Sequence, residues 1–289
     1  MTELVLQALY SGALTGSAYA LIALGLALVF GTMRIINLAH GEMVLVAAYM
    51  AYTLESAYQV NPLMAIPLAV LVACALSVMV NFLVNRIHHD RELNSLILTF
   101  GLGIMLTNVS LMIWKADIRS TRSTWLQDAI SFGPFYSMKS ELLFFAVSLV
   151  LVAGVAWWLR TSRYGRAVRA VSSNREAAKL MGINPQRTEL VSFLVAGLLA
   201  GFAGVAIYCN SVIQPALGGA LTVKAFIITV LAGMGSIVGV LIGALLIGIA
   251  EALTTTFASS ALQDLTAMVL FLLVLFMLPN GLFGTKRHD

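Results

Sequence analysis

Long stretches of this sequence contain no charged residue, and their length restricts the fold more than any other feature. Six runs have at least 20 residues and a seventh has 18: 4–33, 56–85, 93–114, 142–159, 190–223, 225–250 and 265–285. A helix that crosses a membrane needs about 20 mostly apolar residues. Lipid-exposed backbone must also satisfy its own hydrogen bonds. The runs therefore predict an all-α fold, a polytopic membrane helix bundle.

The composition excludes the other broad classes of protein. Of the 289 residues, 60% are hydrophobic and only 10% are charged, whereas a soluble domain carries about 25% charged residues. Disorder would require the opposite balance. The sequence has no basic face with interleaved aromatic residues, so it does not suggest a nucleic-acid partner. Cys74 and Cys209 lie in apolar stretches without metal-ligand spacing, so we expect neither a disulfide nor a metal site.

We expect about eight transmembrane helices in a single domain, 1–289. They are placed at 5–30, 43–58, 63–85, 93–114, 141–159, 189–210, within 222–254 and at 262–280. The region 222–254 is interrupted by Gly233-Met234-Gly235-Ser236. It is interpreted either as one tilted helix or as a broken, re-entrant piece near 222–240 followed by a full helix. Such breaks are tolerated where protein or a water-filled cavity covers them.

The basic residues predict the orientation. Seven of the 17 Lys and Arg residues fall between Arg160 and Arg187. Cytoplasmic loops carry an excess of Lys and Arg, so the loop 160–188 is predicted to be cytoplasmic. The N-terminus and the loop 115–140 are then outside. The basic tail Lys286-Arg287 favours an inside C-terminus, which requires the region 222–254 to cross twice.

A polar segment, Asn-Leu-Ala-His-Gly-Glu at 37–42, lies between two apolar runs. His40 and Glu42 are costly there unless they face protein, water or each other. One interpretation is a polar break between helices, with Asn37 as a helix cap. The other is the lining or gate of a transport pathway, formed by Asn37, His40, Gly41 and Glu42.

Small residues recur every four positions in the later apolar runs. These sets are Ala196, Ala200 and Gly204; Gly197 and Gly201; and Gly235, Gly239 and Gly243. Small residues at this spacing let helix backbones approach closely in lipid, which favours a packing role. Gly233 and Gly235 are also pathway candidates, because a half-helix end directs its backbone dipole into the membrane interior.

Within the basic loop, residues 174–182 are predicted to form a short helix. Asn174 is a suitable N-cap, Glu176 suits the positive end of the helix dipole, and Gly182 suits the C-terminal stop. The segment is either a solvated connector or a docking helix that fits a groove on a cytoplasmic partner.

The sequence lacks the motifs of an enzyme. It contains no phosphate-cradling G-x-x-x-x-G-K-[ST] string, so we expect no ATP or other cofactor to bind this chain. A membrane-embedded enzyme would need a convergent catalytic set, and the sequence suggests none.

Together, these segments resemble the branched-chain amino acid permeases of ABC importers. Glu176-Ala177-Ala178 with Gly182 matches the coupling motif E-A-A-x-x-x-G, although its downstream I-x-L-P part is not matched. The segment 37–42 is similar to the N-terminal signature of the family. Similarities to the C-terminal signatures are carried by Lys224-Ala225-Phe226, by 231–237, by Gly248-x-x-Glu251 and by Pro279-x-Gly281-Leu282-Phe283-Gly284. The chain looks like the shorter, H-type permease.

The resemblance implies an importer of several chains in the bacterial inner membrane. Its partners would be a second homologous permease, two ATP-binding subunits that use the ATP, a solute-binding protein and membrane lipid. The implied coupling residues are Arg169, Arg175, Glu176, Ala177, Ala178 and Gly182. The implied pathway or gate residues are Asn37, His40, Gly41, Glu42, Gly233, Gly235 and Glu251.

Two alternatives stay open for the function. Urea and short-amide permeases are close relatives of the branched-chain amino acid permeases, and the residues do not separate these substrates. A stand-alone secondary transporter would instead use His40, Glu42 and Glu251 as an ion or proton relay.

Overall fold

The computed structural model describes residues 1–233, 236–278 and 281–283. Within these residues, seven helices are long and apolar enough to cross a membrane. The predicted all-α membrane bundle is therefore confirmed. Two further helices, His40–Tyr58 and Leu217–Ala232, also lie in the bundle, so the predicted count of about eight is approximate.

The first part of the chain forms four helices. They are α1 (Thr2–Met33), α2 (His40–Tyr58), α3 (Ile66–Val84) and α4 (Arg91–Trp114). Helix α2 begins three residues before the predicted start, so His40 and Glu42 are helical. A short 3-10 turn, Pro62–Ala65, precedes α3.

The middle of the chain contains the only strands among the described residues. Its elements are α5 (Thr124–Gln127), β1 (Ala129–Phe132), β2 (Phe135–Met138), α6 (Lys139–Thr161), α7 (Arg163–Ser173) and α8 (Arg175–Leu180). The strands pair as an antiparallel hairpin, an element that the charge-free runs did not predict.

The last part of the chain forms four more helices. They are α9 (Pro185–Asn210), α10 (Leu217–Ala232), α11 (Ile237–Phe257) and α12 (Gln263–Met277). The region 222–254 is therefore broken, and the single tilted helix is wrong. Helix α10 has 16 residues, fewer than a full membrane crossing requires.

The bundle has two ends, which we name by their extramembrane elements. At the hairpin end, the Gln7 Nε2 atom of α1 donates to the Tyr136 carbonyl of β2 at 2.7 Å. At the loop end, Arg175 of α8 contacts Glu189 of α9 at 2.9 Å. Helix α1 therefore starts at the hairpin end, and α9 starts at the loop end.

Helices α1–α4, the first repeat, and helices α9–α12, the second repeat, follow the same plan with opposite orientation. In the first repeat, a linker of six residues, 34–39, joins α1 to α2; in the second repeat, a linker of six residues, 211–216, joins α9 to α10. Each linker turns back into the bundle before the second helix begins. Inverted repeats with discontinuous helices are common in transporter folds.

Glycine pairs show the same repetition in the packing. A Cβ atom added to Gly12 of α1 would lie 2.5 Å from Ile249 of α11, and one added to Gly201 of α9 would lie 2.5 Å from Val70 of α3. The predicted packing role of Gly197 and Gly201 is confirmed by these close approaches. Helices α1 and α9, the most buried of the long helices, form the centre of the bundle.

Candidate functional site

The two short helices meet inside the bundle through their first turns. The Gly41 N–H of α2 donates to the Thr222 hydroxyl of α10 at 2.8 Å. A Cβ atom at Gly41 would collide with the carbonyl oxygen of Gly218, and one at Gly218 would collide with the Glu42 carboxylate. The glycines therefore allow the two helix starts to touch.

His40 fixes the depth at which this junction lies. Its Nε2 atom is 3.0 Å from the carbonyl oxygen of Ile22, which lies near the middle of α1. Gly25 leaves space for the ring, since a Cβ atom there would lie 3.0 Å from it. His40 is fully buried, and its Nδ1 atom has no hydrogen-bond partner in the described part of the chain.

Glu42 places a carboxyl group at the same junction. Its side chain packs against Gly218 of α10 and Gly103 of α4. It is 5% exposed, and its Oε2 atom lacks a hydrogen-bond partner among the described residues. The start of α10 offers the positive end of a helix dipole to this carboxyl group.

The proposed capping role of Asn37 needs a correction. The N-cap of α2 is Ala39, which makes no side-chain capping bond. Asn37 instead accepts the Ala39 N–H through its Oδ1 atom at 3.1 Å, in an Asx turn. The Thr222 hydroxyl donates a hydrogen bond to the carbonyl oxygen of Leu38 at 3.3 Å. The linker is thereby fixed just before the helix starts.

Glu251 lies in a second polar cluster, which the sequence alone did not reveal. The Lys224 ammonium is 3.0 Å from the Glu251 carboxylate and 3.0 Å from Asp264. The Tyr19 hydroxyl donates to Glu251 at 2.9 Å, and the Gln263 amide donates to it at 2.8 Å. We call these five residues the lysine cluster. It joins α1, α10, α11 and α12.

A cavity of about 370 Å³ adjoins the lysine cluster on its hairpin side. Lys224, Tyr19, Gln263 and Asp264 contribute to its wall, together with Asn210 at the end of α9. The remaining lining is largely apolar. The cavity can therefore accept a small solute that has both charged and aliphatic groups.

Gly233 does not join the buried helix starts. It ends α10 with a positive φ of 83°, and the neighbouring Ser236 lines a loop-end cavity with Arg169. The half-helix end inside the bundle is the start of α10, and Gly233 lies at the other end of that helix; its role in the pathway stays a prediction. Gly235 lies outside the described residues.

The terminal motif completes the end of α10. The Leu282 N–H donates to the carbonyl oxygen of Leu231 at 2.8 Å, and the Phe283 N–H donates to that of Ala232 at 3.1 Å. Helix C-termini leave unpaired carbonyl groups that need such donors. Gly281 also packs directly on Gly233, so two segments of the C-terminal signature act together.

The short helix predicted in the basic loop is α8. Asn174 caps it by accepting the Ala177 N–H at 3.0 Å, and Gly182 follows its end with a φ of 81°. Both local predictions are confirmed. Leu180 is 89% exposed and Met181 is 82% exposed, so the end of α8 presents apolar surface at the loop end.

A buried carboxylate ties α8 to the membrane helices. Glu189 of α9 is fully buried and contacts Arg175 of α8 at 2.9 Å and Arg91 of α4 at 3.2 Å. A buried charge is stable only when it is paired. Arg175 is therefore engaged inside the chain, and Arg169 is likewise engaged, with the carbonyl oxygen of Leu159.

Sequence reasoning missed several of these residues. Lys224 had a clear signal, because it alone separates the charge-free runs 190–223 and 225–250. Gly218 had only the weak signal of a Gly-Gly pair after Pro215. No sequence signal pointed to Glu189, because its partner Arg91 lies 98 positions away in the sequence.

Comparison with known proteins gives the family of this chain. Residues 8–278 match the family model described as the permease component of branched-chain amino acid transport systems. The chain is 32% identical to BraD of Pseudomonas aeruginosa and 31% identical to LivH of Escherichia coli, covering 98% of this chain and 97% of each relative. Both carry the name of high-affinity branched-chain amino acid transport system permease protein.

A related permease with a different name is also similar. LivM of Salmonella typhimurium is 28% identical over 93% of this chain and 68% of the relative. No solved structure matches this chain significantly. The family match spans most of the membrane helices and both buried clusters. This multi-pass membrane protein therefore belongs to the family of branched-chain amino acid transport system permeases.

Proposed function

We propose that this chain is one of two related permease subunits of an ATP-driven importer in the bacterial inner membrane. The importer carries branched-chain or related amino acids. Two ATP-binding subunits dock at the loop end, and a solute-binding protein delivers substrate at the hairpin end. The observation that carries the proposal is the meeting of the α2 and α10 starts at the middle of the bundle, where transporters place their substrate sites.

The buried helix starts form this chain's part of the pathway or its gate. Backbone N–H groups at a helix start suit the carboxylate of an amino acid. Gly41 and Gly218 keep the two starts in contact, and His40 and Glu42 supply the polar side chains. A small shift of α10 relative to α2 would open this contact.

Helix α8 is the coupling element. Its exposed Leu180 and Met181 suit an apolar groove on an ATP-binding subunit, and Glu176, Ala177 and Gly182 complete the docking surface. Ala178 is 5% exposed and packs α8 against the rest of the chain. Arg175 serves as an anchor, because its ion pair with Glu189 connects α8 to α9 and, through Arg91, to α4. Movement of α8 is thereby passed to two membrane helices.

The cavity beside the lysine cluster suits the proposed substrate class. An amino acid offers an ammonium group and a carboxylate, and the cavity wall contains Lys224 and the acidic side chains of Asp264 and Glu141. The apolar part of the lining suits an aliphatic side chain. The names of BraD and LivH support the branched-chain class, and a transport assay with competing leucine, urea and acetamide tests it.

The coupling role is tested by Gly182→Trp in the complex reconstituted with its ATP-binding subunits. We expect the subunits to be lost on purification and substrate-stimulated ATP hydrolysis to fall at least tenfold. Gly133→Trp is a matched control for retention of the ATP-binding subunits, since both glycines have positive φ and a Cβ atom at either would meet no described atom within 4 Å. Normal transport by the Gly182 variant would contradict the docking role.

A stand-alone secondary transporter is disfavoured by the same contacts. Glu251 is held by Lys224, Tyr19 and Gln263, and within the described residues no hydrogen-bonded chain joins it to His40 or Glu42. Ion-driven uptake by the purified chain alone in vesicles would overturn the ATP-driven proposal. Dependence of uptake on the ATP-binding subunits would support it.

A further inference from the structure

The loop end contains a crevice that the transport function does not use. Its volume is about 470 Å³, and it lies between α1, α6, α7 and α11. The deep walls are apolar and include Leu24, Leu28 and Val240. The mouth is polar and basic, with Arg160, Arg169 and three serines: Ser172, Ser173 and Ser236. We propose that this crevice binds a phospholipid with an anionic headgroup.

The mouth of the crevice lies at the level of a membrane surface. Trp157 is 69% exposed and Tyr164 is 61% exposed, and both lie within a few residues of Arg160. Exposed Trp and Tyr residues mark the headgroup level of membrane proteins. Leu24 lies nine residues before the end of α1, which is about 13 Å deeper at 1.5 Å per residue. An acyl chain therefore fits the depth of the crevice.

The corner between α6 and α7 holds the basic groups in place. The Gly165 N–H donates to the Ser162 hydroxyl at 2.8 Å, and a Cβ atom at Gly165 would lie 2.5 Å from Leu159. Helix α7 therefore lies across the end of α6. The Arg169 guanidinium reaches the Leu159 carbonyl oxygen, so it stays beside the mouth instead of extending into solvent.

Arg160 provides the second positive charge. It is exposed, and no hydrogen bond or ion pair of its side chain is present in the described ranges. Basic pockets between transmembrane helices on the cytoplasmic side suit anionic lipid headgroups. The serine hydroxyls add hydrogen-bond donors for phosphate oxygens. Charge and shape together favour an anionic lipid over the apolar helix of a partner subunit.

Native mass spectrometry of the purified full chain tests this site. The chain is mixed with phosphatidylglycerol and phosphatidylcholine of identical acyl chains, and retained lipid is counted. We expect phosphatidylglycerol to be retained at least fivefold better. Arg160→Gln should lower its retention about fivefold, the usual effect of one basic residue near anionic lipid. Arg187→Gln, an Arg at the same end outside the crevice, is the matched control.

A variant that fills the crevice tests the binding of the acyl chain separately from the attraction of the headgroup charge. Ala156→Phe keeps both arginines but fills the crevice, and it should lower the retention of phosphatidylglycerol at least threefold. Equal retention of the two lipids would overturn the proposal. Equal retention of phosphatidylglycerol by Arg160→Gln and Arg187→Gln would also overturn it. The lipid would then respond only to the general surface charge. If lipid is retained only when the second permease is absent, the crevice is a subunit interface instead.

Discussion

The two repeats share a backbone plan but differ in the chemistry of their buried helix starts. In the first repeat, α2 begins with His40, Gly41 and Glu42; in the second repeat, α10 begins with Leu217, Gly218 and Gly219. The first repeat thus supplies polar side chains, and the second supplies the space that they need. The comparison teaches that the junction is asymmetric although the fold around it repeats.

The asymmetry extends to the way in which the repeats hold a carboxyl group. Glu251 of the second repeat is surrounded by Lys224, Tyr19 and Gln263. Both carboxyl groups have one oxygen without a hydrogen-bond partner in the described ranges. That of Glu251 lies 3.0 Å from the Lys224 ammonium, whereas Glu42 makes no ion pair within those ranges. A satisfied cluster in a low-dielectric interior rigidifies its surroundings. We infer that the buried Lys224–Glu251 pair holds the wall of the neighbouring cavity in place, whereas Glu42 is free to respond to a solute.

The strongest test of the asymmetric junction is Gly218→Leu. A side chain at this position would displace the buried Glu42 carboxylate from the junction, so we expect much less folded, monodisperse protein after size-exclusion chromatography in detergent. Gly219→Leu is the control. A Cβ atom at Gly219 would meet nothing within 4 Å among the described atoms, and the yield should stay close to that of the wild type. Equal yields of the two variants would contradict the close approach of α2 and α10.

The next test concerns the lysine cluster. Lys224→Met leaves Glu251 buried without its cation, and removal of one partner from a buried pair costs about 3–5 kcal/mol. We expect a large loss of thermal stability in detergent, partly restored by adding Glu251→Gln. Lys139→Met is the control, because its ion pair with Asp128 is exposed and should be worth less than about 1 kcal/mol. If Lys224→Met lowers the thermal stability no more than Lys139→Met does, the cluster is not structural.

The charge pattern predicted the long helices because a buried charge is costly wherever it lies along a membrane helix. It gave the break between α10 and α11 correctly, but it did not give the start of α10. Helix α10 starts at Leu217, inside the charge-free run 190–223, where apolar linker and apolar helix look alike. The pairing of Lys224 with Glu251, and of Arg91 with Glu189, depends on tertiary packing that no local pattern contains. The inverted repeat was equally hidden, because its evidence lies in contacts between distant glycines.

A third test examines whether the repeats are equivalent where they pack. Gly12→Ala and Gly201→Ala each introduce a Cβ atom 2.5 Å from a backbone atom of the opposite repeat. Overpacking of this kind costs about 1–3 kcal/mol, and we expect the two losses of stability to agree within about 1 kcal/mol. Gly154→Ala, which faces open space among the described residues, should be neutral or slightly stabilising, as Ala favours helix. A loss confined to one repeat would show that the packing is not symmetric.

The smallest expected change in stability comes from Glu42→Gln, and it separates structure from transport. The isosteric amide keeps the packing against Gly218 and Gly103 and removes only the charge. Interaction of that charge with the start of α10 is worth about 0.3–1 kcal/mol, so the thermal stability in detergent should change by less than about 1 kcal/mol. Substrate uptake by the reconstituted complex should nevertheless fall several-fold, because the freely responding carboxyl group is lost. A large loss of stability would instead make Glu42 the structural counterpart of Glu251, and the difference between the repeats would then lie in side-chain size alone.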